Sequence, residues 1–469
     1  MNKVTRFIKT SIVYFIGTVL SKVLSILLLP IYTSYLSPEL YGEYDLYVSL
    51  INLIAPIAFI QIWDSVYRFA FDSDNKEWKQ RTISNGFVVC LLGSLLYCFL
   101  HSLISIKYPT IRSLTIYLYG LFVAFIYLYT VICRVYLNNL LLIVSGLVNT
   151  IITFLLNILF IIYFKMGIDA LYVSSIIGSI VQILIIEIRE HAILSFRASY
   201  VSINNIKQMA KFSFPLCINT ISYWLLSGYT KIVITNILGA ESNGLYSIAN
   251  KFTVLVTLLV SVFQFAWNEM IYLSANEKDN NKLYEKGISI IARLLLLGSG
   301  VFIIVIKLLF PYLVNKTYYD SFYIIPIALI GVAANSFASF TGTIFLSDKN
   351  SKLLVLTVFI SAIANIFLVP LGCYSIGLIG AIGALGISYF INAFIRVFYL
   401  KNRYRIKIKF NYMYSAILLI CSLLTFYLID NILILLLFAI FYCIFSLWWL
   451  YPSLKIIYTN ILSERNQLQ

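Results

Sequence analysis

The sequence predicts an all-α integral membrane protein of about fourteen transmembrane helices: two six-helix lobes related by a parallel repeat, with two further helices at the C-terminal end. Three observations predict it. Of the 469 residues, 61% are hydrophobic and only 11% charged, too little polar surface to coat a soluble globule of this size. Apolar runs of roughly 20 residues, the length that crosses the hydrocarbon layer as helix, recur from Thr10 to Tyr451 with short polar breaks. Finally, Leu36 to Tyr44, LSPELYGEY, returns 202 positions later as Leu238 to Tyr246, LGAESNGLY, which is what a duplicated unit leaves behind. Leu36, Glu39, Gly42 and Tyr44 match Leu238, Glu241, Gly244 and Tyr246. The register holds upstream, where Lys9, Ser11, Thr18, Ser25 and Thr33 match Lys211, Ser213, Thr220, Ser227 and Thr235.

The N-terminal lobe, residues 1–188, takes six spans: Thr10 to Thr33, Tyr44 to Trp63, Ile83 to Ile104, Leu114 to Val135, Leu141 to Tyr163, and Ile168 to Ile188. The first follows Lys3, Arg6 and Lys9, but it is longer than the apolar core of a signal peptide and lacks a small-residue cleavage site. A polar stretch, residues 189–211, is the expected linker. The C-terminal lobe, residues 212–400, then takes Phe212 to Leu238, Ser247 to Leu273, Gly287 to Tyr312, Phe322 to Leu346, Lys352 to Leu371, and Ile376 to Leu400. Residues 401–469 hold a basic linker, Lys401 to Lys409, two spans without a counterpart in the repeat (Tyr412 to Leu428 and Ile432 to Leu450), and a tail. Glu39 and Glu241 fall in the turns before the second and eighth spans, where a helix N-terminus favours a carboxylate. Gly42 and Gly244 suit a tight connection that lets the following helix start.

Lys and Arg collect in alternate loops. One side holds Arg68, Lys76, Lys79, Arg81, Arg134, Arg189, Arg197, Lys207 and Arg396 through Lys409; the other holds Lys107, Arg112, Lys165 and Lys316. Such asymmetry puts both termini in the cytoplasm and explains the net charge of +15 without nucleic acid. An even number of crossings between matched elements makes the repeat parallel. The seven Cys sit singly in apolar runs, so they read as packing residues. Gly377, Gly380, Gly383 and Gly386 suggest close helix packing, and Pro30, Pro56, Pro215 and Pro326 suggest bends.

Five cations lie inside spans: Lys22, Lys231, Lys251, Arg293 and Lys307. A charge facing lipid at the bilayer centre costs about 2.5–3.5 kcal/mol, so the deep ones are expected to face a wet cavity. Lys22, Lys231, Lys251 and Arg293 are therefore the candidates for a cationic lumen that receives an anionic group, while Lys307, near a span end, is expected to snorkel. Arg68 and Arg134 sit at cytoplasmic ends, as orientation signals or as a cytoplasmic entrance. Asp64 and Glu269 are the acids considered for an ion pair or for coupling. There is no nucleotide-binding loop, metal cluster or nucleophile triad, so no cofactor and no enzymatic chemistry are expected.

The second copy, FSFPLCINTISYWLLSGYTKIVITNILGAESNGLYSIANKF, followed by FAWNE at Phe265 to Glu269, resembles the polysaccharide-unit (Wzx-type) flippases of the multidrug/oligosaccharidyl-lipid/polysaccharide exporter superfamily. So does LSKVLSILLLPIYTSYLSPELYGEY in the first copy. The resemblance covers roughly residues 5–400. It implies twelve core spans in two lobes, often with two appended, and alternating-access movement of an undecaprenyl-pyrophosphate-linked oligosaccharide to the outer leaflet for surface polysaccharide such as O-antigen. Implied partners are that carrier lipid, membrane lipids, and a polysaccharide polymerase and chain-length regulator. Many relatives carry an acidic residue before the basic one in span seven, where this chain has Thr230 before Lys231. Two other readings remain: a cation-coupled drug antiporter of the same superfamily, which needs acids deep in the bundle, and a non-transporting scaffold of the polysaccharide machinery.

Overall fold

A computed structural model describes residues 17, 19–73, 75–107, 112–274, 281–348, 351–406, 413–446 and 448–449. Among these residues there are helices and no strands. Among the described residues nine helices are long and apolar enough to cross a membrane, or ten when a bent pair is taken as one span. Contacts divide the chain into two units, residues 1–244 and 245–469.

In the first unit the helices are α1 (Val19–Tyr35), α2 (Pro38–Ala58), α3 (Ile62–Phe69), α4 (Lys76–Lys107), α5 (Ser113–Val135), α6 (Asn139–Ile158), α7 (Asp169–Glu190) and α8 (Ile203–Leu238). The start of α2 follows directly from its sequence. Ser37 caps it, its Oγ accepting from Leu40 N at 3.3 Å, Pro38 occupies the first helical position, and Glu39 lies in the first turn. The span then breaks. Phe59 to Gln61 separate α2 from α3 with a bend of 51°, and both Ile60 (φ 52°) and Gln61 (φ 44°) are left-handed. That conformation is uncommon for a β-branched residue and costs on the order of 1–3 kcal/mol, so it persists only where the surroundings fix it. Pro56 lies a turn earlier, and its carbonyl accepts from Gln61 N at 3.0 Å. Helix α8 begins at Ile203, inside the stretch expected to be linker, and groups with the first unit.

The remaining linker is held down at both ends. The Glu187 carboxylate accepts from Tyr129 Oη at 2.9 Å and from Ile193 N at 2.9 and 3.1 Å, while Asn138 Nδ2 donates to Glu190 Oε1 at 2.8 Å. At the far end Asn85 Nδ2 donates to Tyr200 O and Asn85 Oδ1 accepts from Ser202 N. The Tyr200 ring has Arg81 on it at 5.4 Å and Arg197 at 5.5 Å.

Helix α9 (Ala240–Ser274) starts in the first unit and continues into the second, which holds α10 (Asn281–Leu313), α11 (Ile325–Ser347), α12 (Ser351–Ile376), α13 (Leu378–Asn402), α14 (Met413–Leu428) and α15 (Ile432–Ser446). Helices α1, α14 and α15 are shorter apolar helices, and α8 opens with the polar run Ile203 to Lys211. The FAWNE stretch is anchored by Trp267: its Nε1 donates to Phe340 O at 3.0 Å, and its ring stacks on Phe340 at 4.4 Å. The glycine series on α13 divides. Gly380 and Gly372 pack backbone to backbone, a Cβ on either lying 2.2–2.3 Å from the other's carbonyl oxygen, whereas Gly383 has nothing within 4 Å and Gly377 (φ 69°) is a turn.

Candidate functional site

The first unit carries most of the polar chemistry, along one seam where α2 and α3 run against α8. Asn243 Nδ2, just beyond α8, donates to Gly42 O at 2.7 Å. Lys231 Nζ lies 2.8 Å from each carboxylate oxygen of Asp45. Trp224 Nε1 donates to Ser49 O at 2.7 Å, Cys217 Sγ to Pro56 O at 3.5 Å, Gln61 Nε2 to Thr220 Oγ1 at 2.8 Å, and Ser65 Oγ to Met209 O at 2.6 Å. The residues follow helical spacing: Gly42, Asp45, Ser49 and Pro56 on α2, and Cys217, Thr220, Trp224 and Lys231 on α8. The stripe of α8 that holds Lys231 therefore faces α2. There Lys231 is held in an ion pair in which both side chains are 16% exposed.

At the top of the seam the two copies of the repeated stretch meet. A Cβ on Gly42 would lie 1.9 Å from Ala240 O, and a Cβ on Gly244 would lie 1.9 Å from Pro38 O. Gly42 and Gly244 are thus not connector residues. They sit inside the second turn of their helices, and glycine is required because two backbones cross in contact there.

A second polar region lies between α6 and α7. Asn149 Nδ2 donates to Gln182 Oε1 at 2.7 Å, Thr153 Oγ1 to Asn149 Oδ1 at 3.1 Å, and Asn157 Nδ2 to Thr153 O at 2.8 Å. Gly178 makes room, for a Cβ there would lie 2.3 Å from Thr153 Oγ1. The stripe continues to α1 through Ser21 Oγ and Thr150 Oγ1, 3.1 Å apart. Beside it is a groove of about 220 Å³ bordered by Gly17, Ser21, Thr130, Arg134, Gly146 and Gln182 together with three aliphatic side chains. The Arg134 guanidinium is exposed on this groove and acts electrostatically on Asp64 of α3. Arginine, amide, hydroxyl and close-approach glycine together suit a polar headgroup carrying anionic oxygens and hydroxyls.

Other predicted residues lie elsewhere. Lys22 is partly buried on α1, next to Ser21 of the groove, and Ser25 Oγ donates to its carbonyl. Arg68 is exposed and paired with Asp72 one turn on. In the second unit, Lys251 is partly buried three turns into α9. Arg293 stands over the Trp449 ring at 6.0 Å, against the added C-terminal segment. Lys307 does not snorkel: its side chain is 7% exposed and its ammonium is bound at the end of α14. The Glu269 side chain lies outside the described residues. Arg396, expected with the basic linker, is buried at 1% exposure, its Nε donating to Thr357 Oγ1 at 3.0 Å and its Nη1 to Ala338 O. On α12, Thr357, Ser361 and Asn365 are all buried at the same four-residue spacing as Asn149, Thr153 and Asn157 on α6.

The family model described as polysaccharide biosynthesis protein matches residues 7–267, more than half of the chain and both copies of the repeated stretch. The chain belongs to that family. Among solved structures, this polysaccharide biosynthesis protein is similar to the lipid II flippase MurJ in an inward closed conformation, at 16% identity and a TM-score of 0.69, covering 97% of this chain and 100% of that one. It is also similar to an inward-facing multidrug resistance MATE family transporter of the MOP superfamily, at 15% identity and 0.67, covering 82% and 94%. A third likeness is to a MATE transporter from Vibrio cholerae, at 14% identity and 0.59, covering 86% and 97%. At these identities the likeness shows a shared fold and nothing further. No curated protein matches the sequence.

The sequence alone places Asp45 near a span end without identifying its partner, and Asn149, Thr153 and Gln182 carry no charge that would mark them. The 202-residue register does not supply the first pairing, since it matches Asp45 to Ser247 and Lys231 to Leu29. Residues spaced by four on α6 and α12 would have marked the second.

Proposed function

We propose that this protein is a flippase that moves an undecaprenyl-pyrophosphate-linked oligosaccharide repeat unit from the cytoplasmic to the outer leaflet by alternating access, in the assembly of a cell-surface polysaccharide. The observation that carries the reading is the Arg134 groove: a cation, an amide and hydroxyls clustered within apolar helices of a chain whose family is polysaccharide biosynthesis. The near end-to-end likeness to a lipid II flippase supports a lipid-linked passenger. Described acids within the spans are few, and Asp45 is already engaged by Lys231, which weighs against organic cations as cargo. On the orientation given by the loop charges, both termini are cytoplasmic and Arg134 stands at the cytoplasmic entrance.

Deletion of the gene is expected to abolish the surface polysaccharide while the lipid-linked unit accumulates. In proteoliposomes, the purified protein is expected to move a fluorescent lipid-linked sugar between leaflets. Failure to move any native carrier lipid would support the scaffold reading instead. Changing Lys22, Lys231 and Lys251 singly to Gln, at unchanged protein level, is expected to block glycan export in at least one case. Full export by all three variants would remove these cations from the mechanism. Arg134→Gln is expected to slow export about tenfold or more, the loss of a charge-assisted hydrogen bond to an anionic group being worth roughly 1.5–3 kcal/mol.

A further inference from the structure

Lys231 is the predicted lumenal cation whose charge is already matched. Its ammonium lies 2.8 Å from both oxygens of Asp45, in the middle of the one seam that ties α2 to α8, yet each side chain keeps 16% of its surface accessible. The neighbouring seam contacts are of a different kind. Above the pair and below it, single neutral donors meet backbone carbonyls: Asn243 to Gly42, Trp224 to Ser49, Cys217 to Pro56. Only Asp45 and Lys231 hold α2 to α8 by charge among the described residues. An anionic passenger competes most strongly for the ammonium, where the hydrogen bond is between two charged groups, and less for a neutral donor on a carbonyl.

We infer that Asp45 is a place-holder for the passenger: the anionic phosphate of a lipid-linked substrate displaces the Asp45 carboxylate from Lys231, and this exchange of partners releases α2 from α8. The inference rests on the proposed flippase reading and assigns to Asp45 a positioning role in it. Lysine suits the exchange because its ammonium is a point charge on a flexible stem, able to change acceptors without the fixed fork of an arginine. A pyrophosphate carries more negative charge than one carboxylate and offers more acceptor oxygens, so it outcompetes Asp45 where a neutral lipid cannot. Partial exposure supplies the approach, and burial of the rest keeps water from screening the competition. Binding then does mechanical work only when the passenger is anionic, since a ligand shifts a conformational equilibrium by its differential affinity alone.

The test measures the α2–α8 distance by pulsed electron resonance between spin labels at positions 43 and 236, in nanodiscs, alongside transport in proteoliposomes. In the wild type, undecaprenyl pyrophosphate is expected to lengthen the distance, and undecaprenol to leave it unchanged. Adding phosphatidylglycerol to the nanodisc distinguishes an ordinary phospholipid headgroup from the carrier; lengthening by phosphatidylglycerol alone would overturn the assignment to the passenger. Asp45→Asn is expected to show the long distance without any ligand and to bind undecaprenyl pyrophosphate about tenfold more tightly, its competitor being gone. The double variant Asp45→Leu with Lys231→Met replaces the ion pair by an apolar contact of similar volume, which can hold two helices as well as a buried ion pair. It is expected to keep the short distance with and without undecaprenyl pyrophosphate, having no ammonium to exchange, and to transport at least tenfold more slowly than the wild type. Wild-type transport by this double variant would show that the pair is only a brace and overturn the inference. The distance response is read on binding alone, so a wild type that opens with undecaprenyl pyrophosphate yet moves no lipid would sink the flippase reading and leave the exchange standing.

Discussion

Gly42→Ala and Gly244→Ala are each expected to lower the thermal midpoint of the detergent-purified protein by several degrees, while Gly383→Ala leaves it no lower than the wild type's. The difference is geometric. A methyl on Gly42 would stand 1.9 Å from the Ala240 carbonyl oxygen and 2.7 Å from Gly244 N, and a methyl on Gly244 would stand 1.9 Å from the Pro38 carbonyl oxygen. These neighbours are main chain and cannot rotate aside, so the helices must separate, and overpacking of this kind costs roughly 1–3 kcal/mol or more. Separation also lengthens the 2.7 Å bond from Asn243 to Gly42. Gly383 has nothing within 4 Å, and there Ala gains helix propensity of about 1 kcal/mol instead. Because either methyl forces the same two backbones apart, the double variant is expected to cost less than the sum of the singles. A Gly42→Ala protein that melts with the wild type, by fluorescence-detected unfolding, would show that the crossing is loose.

The same crossing shows what was legible beforehand. Matching Leu36–Tyr44 to Leu238–Tyr246 found the two stretches, because scarce residue types recurring in register survive in a one-dimensional string. It did not find that they touch, which depends on the direction in which α2 and α9 leave the turn. Length and hydropathy marked the long apolar helices, nine or ten of which the described residues show, since a bilayer imposes both on the sequence. The break at Ile60 and Gln61 carried no such mark: neither residue is one that left-handed backbone favours, and the contacts that hold it, such as Gln61 to Thr220, come from a helix 159 positions away. Cations told a similar story. Cost at the bilayer centre led to a wet cavity for Lys231 and snorkelling for Lys307, because periodicity alone does not distinguish those outcomes from a carboxylate or from the carbonyls of another helix. Arg396 was misplaced for a different reason, its position near the span end being the same for a loop cation and for one turned inward onto Thr357.

Lys307→Met is expected to loosen the C-terminal helix pair, and Asp430→Asn to leave it in place. Helix α14 ends at Leu428, so the carbonyls of its last turn have no partner within the helix. Lys307 of α10 supplies one, donating to Phe426 O at 2.6 Å, to Thr425 O at 3.4 Å and to Ile429 O. The ammonium also lies 3.1 Å from Asp430 Oδ1, but that side chain is 97% exposed. An exposed partner contributes about 0–1 kcal/mol, whereas stranding a buried carbonyl costs roughly 1–3 kcal/mol, so the carbonyls dominate. Methionine keeps the length and apolar stem of the lysine and removes only the donors, which limits cavity formation. The measurement is limited proteolysis at the turn between α14 and α15, together with the thermal midpoint. Faster cleavage is expected for Lys307→Met and wild-type cleavage for Asp430→Asn. Equal effects of the two would mean that the ion pair, not the capped helix end, holds α14 to α10. Next to this, Gly300 packs against Tyr442 and Ser422, a Cβ there lying 1.9 Å from Tyr442 Oη, so the two helices have one polar tie and one close steric fit to α10. Losing the tie alone should therefore detach the outer turn first, giving cleavage near Ile429 before any global unfolding.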